Sequence, residues 1–583
     1  MRSLALLLAV LLAVPAFAQP AAPPADLADR LDGALSHVHD IGMFNGTVLV
    51  AQGDDVLYAE GFGHADMTWD VPNAPDTRFW LASVTKQFTA ALALMLIEEG
   101  AFGLDDPITA ILPDYPAAQG DPVTVRMLLN HTSGIPSMTG MEDFMQTRSN
   151  DAFTVDEMLA VFNEEPFDFE PGSQYAYNNS GYFLLGALIE EATGMTYAEA
   201  LQAKLFDPLG LNDTGYVEST VTERMATGYT RSGMDYAHAT YIHPSVPYAA
   251  GMLYSTVHDL HRWNRALYGG EVFSDAATLT AMTTPEGAAA DARYAYGIAS
   301  GTQEIGGEER QVYQHSGGIP GFSTQLAYVP GDELTVVVLD NTGGNSGQVL
   351  MTLARTFYGE EVDLPKQPIA QVLMATIEEA ATMEAGVEAA LAQYETLMAD
   401  DPDGYDFGED QLNTLGYMVM GEGRPDLAIP IFQRNVAQFP EASNPYDSLG
   451  EAYMEDGQTD LAIENYEKSI ELNPGNQNGR DMLERLGVTP EDATLELPED
   501  LLEGYVGTYR LAPGFDIVMT REGTQLFTQA TGQPRFEIYP SSETEFYLTV
   551  VDAQLTFEVE DGVATGVVLH QGGRSMPAPR VEE

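Results

Sequence analysis

Hydrophobic positions along the chain change period several times, and each change predicts a different architecture. Residues 1–18 start with Met1-Arg2, run apolar from Leu4 to Val14 and end in Ala16-Phe17-Ala18. A run of about a dozen apolar residues with a small-x-small exit reads as a secretory signal cut after Ala18, because a spanning helix needs ~20. Gln19 to Ala25 (QPAAPPA) reads as a linker. Two strands, Gly46 to Ala51 and Val56 to Glu60, are then predicted around a Gly-Asp-Asp turn. Helix and loop patterns dominate to about Leu267, and strands return at Glu308 to Tyr313, Thr324 to Val329 and Leu334 to Asp340. Strands at both ends with helices between predict an α+β domain over residues 27–362, its antiparallel sheet joining the two ends.

The next segment repeats. Leu415-Gly416 recur as Leu449-Gly450, Leu427-Ala428-Ile429 as Leu461-Ala462-Ile463, Phe432 as Tyr466 and Pro440 as Pro474, every pair 34 residues apart. A weaker copy precedes them at Ala390, Tyr394 and Pro402. That period, with small residues where paired helices touch, resembles the tetratricopeptide repeat and predicts helical hairpins over residues 367–486. Such an array offers a concave surface to a protein partner or a second copy, with a rigid spacer as the competing reading. Beyond a Pro/Glu-rich joint, residues 496–583 carry short alternating segments from Phe515 to His570 between Gly, Asp and Ser turns, which predict a small all-β barrel.

Charge narrows the function. Across 583 residues, 88 Asp and Glu against 25 Lys and Arg leave a net charge of −63. A field of that sign repels phosphate backbones, which excludes nucleic acid as a partner, and it suits a hydrated surface in a salty exterior. With the export signal and no later apolar span, the mature protein is expected to be periplasmic or secreted. Cysteine is absent, which removes disulfides, thiol nucleophiles and thiolate metal sites. No cofactor or metal is called for: His258-x-x-His261 lies behind a Thr256-x-x-Asp259 capping box and lacks a third ligand.

Against so few cations, Lys86 needs an explanation. It is one of four lysines, sits three residues after Ser83 at the start of an apolar helix (FTAALALMLI), and has no acid between Asp76 and Glu98. Ser83 as a helix cap and Lys86 as a snorkelling side chain would explain the serine alone. Residues i and i+3 share a helix face, so a lysine amine one turn on can take or stabilise a serine proton, where the helix N-terminus favours a developing oxyanion. Two further patterns accompany it: Tyr177-x-Asn179 before the apolar helix YFLLGALIEEATG, and His315-x-Gly317 before the strand from Thr324. Separately these read as a loop aromatic beside a cap at Asn179 or Ser180, and as a Gly-rich hairpin turn. His131-Thr132-Ser133-Gly134 reads as a helix end with Gly134 as C-cap. Gly-x-Ser-x-Gly is absent, which argues against an α/β-hydrolase.

In this order and spacing, Ser83-x-x-Lys86, Tyr177-x-Asn179 and His315-x-Gly317 resemble the serine beta-lactamase and penicillin-binding-protein superfamily, in its class C-like branch of peptidases, esterases and amidohydrolases. RFWLASVTKQFTA, VRMLLNHTSGIP, LDDPI, GMLYSTVHDLHRW and GGIPGFSTQL extend the likeness over about residues 30–360. It implies that Ser83 is acylated and that Lys86 holds its hydroxyl and depresses the pKa of Tyr177, which shuttles the proton. It also implies that Asn179 fixes Lys86 and contacts substrate, and that the N–H groups of Ser83 and Gly318 form the oxyanion hole. His315 stands where the beta-lactamases carry lysine, which weakens the case for a dedicated antibiotic hydrolase. The C-terminal segment resembles the lipocalin-like β-domains appended to relatives, which can close over the cleft. The reading is an exported serine hydrolase acting on amide or ester bonds of small peptides or esters, with weak beta-lactamase activity as a lesser option. The competing one is a vestigial catalytic fold whose repeats recruit a partner.

Overall fold

Strand alternation sorts the side chains of a six-stranded sheet onto two cores. The computed structural model describes residues 20–581 apart from 142–143, 219, 233–234, 489–496, 513–514, 541, 549–550, 552, 561 and 572–573. The expected export signal and most of the Pro/Glu-rich joint lie outside the described residues. Contacts divide the chain into two compact units at Pro365/Lys366.

In the first unit, α1 (Leu27–Asp40), β1 (Gly46–Gln52) and β2 (Asp55–Phe62) precede the helices α2 (Thr85–Glu98), α3 (Asn179–Thr193) and α4 (Val257–Tyr268). The chain then forms β3 (Ala299–Ile305), β4 (Glu308–Ile319), β5 (Phe322–Val329), β6 (Leu334–Asp340) and α5 (Ser346–Phe357). The sheet runs β3-β4-β5-β6-β1-β2, antiparallel throughout, with Val48 opposite Val338 in the seam between the ends of the unit. Leu49, Ala51, Val337 and Leu339 face the core that buries α2, α3 and α4, whereas Val48, Val50, Val336 and Val338 face the core under α1 and α5. This is the period-two sorting expected of a sheet covered on both faces. Phe88 of α2 stacks on Trp263 of α4, ring centres 4.2 Å apart. The edge strand β3 has no counterpart in the predicted set, because ASGTQEI is mostly polar and small.

Two local readings change. Ala21, expected in a linker, is tied to the body by its N–H to Asp332 Oδ1 (2.7 Å) and its carbonyl to Gln52 Nε2 (2.8 Å). Gly134 is no helix cap. The helix Val125–Leu129 is capped at Asn130, and Gly134, with φ +70°, lies where a Cβ would stand 2.2 Å from the Phe169 carbonyl oxygen.

The second unit begins with α6 (Ile369–Glu379) and α7 (Met383–Asp400), continues through α8 (Glu409–Gly421), α9 (Pro425–Gln438), α10 (Ser443–Glu455) and α11 (Thr459–Leu472), and ends its helical part with α12 (Gln477–Arg485). The boundaries of α10 and α11 repeat those of α8 and α9 at the 34-residue offset. Gly416 and Gly450 lie against the buried rings of Phe432 and Tyr466, which is why both positions are small.

Eight antiparallel strands follow in sequential order: β7 (Gly507–Ala512), β8 (Phe515–Glu522), β9 (Gln525–Ala530), β10 (Phe536–Pro540), β11 (Glu545–Tyr547), β12 (Ala553–Glu560), β13 (Val563–Gln571) and β14 (Arg574–Pro579). Tyr509 bridges Arg580, and the Val581 N–H donates to the Thr508 carbonyl, so the ends nearly close a barrel. Its interior is filled by Tyr505, Tyr509, Met519, Phe546 and Phe557.

Candidate active site

Ser83 lies in a 3-10 turn, Ala82–Val84, that feeds α2, and Val84 rather than Ser83 occupies the N-cap. Ala82 has φ +47°, a region unfavourable to residues with a Cβ, so the turn is held by its surroundings. The Leu81 N–H donates to the Leu253 carbonyl (2.8 Å), and the Thr324 hydroxyl donates to the Leu81 carbonyl (2.8 Å).

Lys86 is fully buried. Its Nζ lies 3.1 Å from Ser83 Oγ, 2.9 Å from Asn179 Oδ1 and 2.7 Å from the Ala250 carbonyl oxygen. The other three lysines each pair with a carboxylate, Lys204 with Glu99, Lys366 with Asp403 and Lys468 with Glu471. Lys86 has no such partner among the described residues, and burial alone pushes its amine well below the usual lysine range. The free base suits this geometry. Two of its contacts are carbonyl oxygens that can only accept, so they take the two N–H groups, and the lone pair is left for the Ser83 O–H.

Asn179, the first residue of α3, donates through Nδ2 to Thr139 Oγ1 (2.9 Å), which turns Oδ1 to Lys86. The cap of α3 is Asn178, whose Oδ1 accepts the Gly181 N–H at 2.7 Å, and Ser180 Oγ accepts the Met138 N–H at 2.8 Å. Neither expected cap is used as one.

The side chain of Tyr177 lies close enough to Ser83 for the serine hydroxyl to act on its phenol. The tyrosine keeps 40% of its surface exposed, and its ring centre is 4.9 Å from Lys86 Nζ. Burial raises the phenol above its ordinary value, only partly offset by the nearby Ser83 hydroxyl. The expected depression by Lys86 is therefore not found. Desolvation disfavours the phenolate and outweighs what the neighbouring groups contribute.

His315 lies near the end of β4, so His-x-Gly belongs to a strand rather than to a turn. Its Nδ1 is 2.6 Å from the Ser316 carbonyl oxygen and its Nε2 2.9 Å from the Tyr294 hydroxyl. A carbonyl only accepts, so Nδ1 carries the proton and Nε2 accepts from Tyr294. Burial is the largest cause holding this imidazole down to about 3. The site thus presents a neutral histidine where a fixed cation would otherwise stand.

Gly317 has a steric reason: a Cβ there would be 2.2 Å from the Leu81 carbonyl oxygen and 2.3 Å from Thr324 Oγ1, forcing β4 off the serine turn. Gly318 follows it and, with Ser83, lines a cavity of about 120 Å³. All seven expected residues thus converge on one locus.

His131 and Tyr294 are additions that the motif reading missed. His131, at φ +60° and buried, accepts the Asn178 N–H on Nδ1 (3.1 Å). Its ring centre lies 4.4 Å from Tyr177 and 4.6 Å from Tyr294. Its Nε2 is enclosed without a hydrogen-bond partner among the described residues, and burial keeps the ring uncharged. The only signal for it was the segment VRMLLNHTSGIP.

An antiparallel sheet packed on helices, with a serine at a buried helix start beneath a strand end, defines the class: a serine hydrolase. Residues 31–357 match the Beta-lactamase family, and the chain belongs to it. Residues 444–476 match the tetratricopeptide repeat, and residues 492–582 match a domain family of unknown function. The chain is 32% identical over 347 residues to Penicillin-binding protein 4* of Bacillus subtilis (strain 168), covering 56% of this chain and 75% of that protein. It is 34% identical over 221 residues to Esterase EstB of Burkholderia gladioli, covering 35% of this chain and 55% of that protein. Among solved structures, D-amino acid amidase from Ochrobactrum anthropi SV3 complexed with D-phenylalanine aligns with a TM-score of 0.50 at 25% identity, over 58% of this chain and 100% of that one.

Proposed function

We propose that the protein is an exported hydrolase that cleaves amide or ester bonds through an acyl-enzyme on Ser83. The observation that carries this reading is the Lys86 amine, buried without a carboxylate and hydrogen bonded to Ser83. Lys86 accepts the Ser83 proton as Oγ attacks the acyl carbon, and the Tyr177 hydroxyl donates to the leaving group. This leaves an ammonium beside a phenolate. Water then attacks the acyl-enzyme, Tyr177 takes the proton of that water, and Ser83 recovers its own from Lys86. Asn179 orients the amine, and the N–H groups of Ser83 and Gly318 bind the oxyanion. His315 and Tyr294 hold β4 beside the nucleophile. Penicillin-binding, ester-cleaving and D-amino-acid amide-cleaving relatives leave both amide and ester substrates open. Residues 1–18 support export to a periplasm or exterior.

A vestigial, purely binding role is disfavoured by the same lysine, since a buried amine without a counter-ion has no structural use that an apolar side chain would not serve better. Intact-mass measurement after incubation with a fluorophosphonate and with a penicillin tests the assignment. A single adduct on the native protein, absent from Ser83→Ala, is expected; equal labelling of the variant, or no adduct with either probe, overturns it.

A further inference from the structure

The cavity beside Ser83 is walled by Met138, Met145, Ile242, Val246, Pro247 and Ile319, with Thr139 and Asn179 as its polar members besides the serine. None of its described walls is charged. Tyr177, which in the proposed mechanism protonates the leaving atom, and His315 are not among them. From this arrangement we infer that the cavity is an acyl pocket, and that the substrates are esters or amides whose acyl part is short, apolar and uncharged. The inference rests on the proposed roles of Ser83 and Tyr177 and adds the half of the substrate that they leave open.

Size sets the chain length. An apolar cavity of about 150 Å³ holds benzene, and this one, at about 120 Å³, suits an aliphatic group of roughly three to five carbons. Charge sets the class. A carboxylate placed against Ile242 and Val246 loses its hydration with no cation to replace it. The −63 net charge of the chain opposes anionic substrates before they arrive. Acyl groups ending in a carboxylate are therefore poor substrates.

The test is steady-state hydrolysis by the full chain of p-nitrophenyl esters from acetyl to decanoyl, together with the succinyl ester. The expected kcat/KM rises about fourfold per methylene to butyryl or valeryl, the equivalent of ~0.8 kcal/mol, and falls at least tenfold by octanoyl. The succinyl ester, close to butyryl in length, is expected at least 100-fold below it. Ile242→Ala moves the maximum to longer chains, and Val246→Ala serves if the first variant takes up no fluorophosphonate. A profile without a maximum, a succinyl rate within threefold of butyryl, or an adduct-forming variant that keeps the native maximum overturns the pocket. Failure of the hydrolase reading looks different: native Ser83 then forms no adduct at all.

Discussion

Lys86 and Tyr177 are a base and an acid one proton transfer away from an ammonium and a phenolate. Desolvation opposes both charges, and among the described residues no carboxylate near Lys86 compensates. The pH dependence follows. Acid protonates Lys86 and removes the base, so kcat/KM falls as pH drops through the lowered amine value. Tyr177 stays protonated beyond its ordinary value near 10, so no alkaline loss sets in below about pH 9. Rates at a fixed ester concentration well below KM, from pH 4 to 10, check this; a bell centred near neutrality would mean that the charged pair is the resting form. Ser83, Lys86, Tyr177, Asn179 and His315 were legible because each motif is local, a serine and lysine one turn apart or a tyrosine next to a helix start. His131 was not. Its importance depends on the fold bringing residues 131, 177, 182 and 294 to one place, and nothing in His-Thr-Ser-Gly itself requires that. The direction of the Tyr177 shift was illegible for a related reason, since sequence shows a nearby lysine but not whether burial leaves it charged.

At the scale of elements, the repeat units show how far a pattern can be trusted. The 34-residue offset carries the boundaries of α8 and α9 onto those of α10 and α11 to the residue, because the same small and aromatic positions recur in both hairpins. Equivalent positions are nonetheless unequally tight. A Cβ at Gly416 would stand 2.4 Å from the Phe432 ring, whereas one at Gly450 would be 3.1 Å from that of Tyr466. Gly416→Ala is therefore expected to lose about 1–3 kcal/mol through overpacking. In Gly450→Ala, milder crowding is set against a helix-propensity gain of up to ~1 kcal/mol and leaves stability nearly unchanged. Urea unfolding of the two full-length variants, followed by circular dichroism, checks the order; equal losses would show that the two hairpins pack alike. The β-domain was legible from Phe515 onward, but its first and last strands were not. LAPGF and RSMPAP carry prolines that weaken a strand pattern, and β14 is recognisable only once β13 lies beside it.

For the whole molecule, an excess of 63 negative charges is the dominant long-range term. Self-repulsion of that size destabilises a compact state at low ionic strength, and salt relieves it as the screening length falls from about 10 Å at 0.1 M to 3 Å at 1 M. Thermal unfolding is expected to move upward by at least about 5 °C between 0.1 and 2 M sodium chloride; a flat or falling midpoint would show that the charge is already balanced within the fold. The seam between β1 and β6 has a consequence of another kind. Val48 stands opposite Val338 of β6, so the sheet at the heart of the hydrolase unit cannot be completed until nearly the whole unit has been synthesised. A nascent chain carries Ser83 and Lys86 early, but β4 and β5, which shape the cleft around them, arrive more than 200 residues later. Any product that stops short of Asp340 holds the nucleophile without the sheet that presents it, which makes the last strand, remote from the chemistry, the step on which the appearance of activity during synthesis depends.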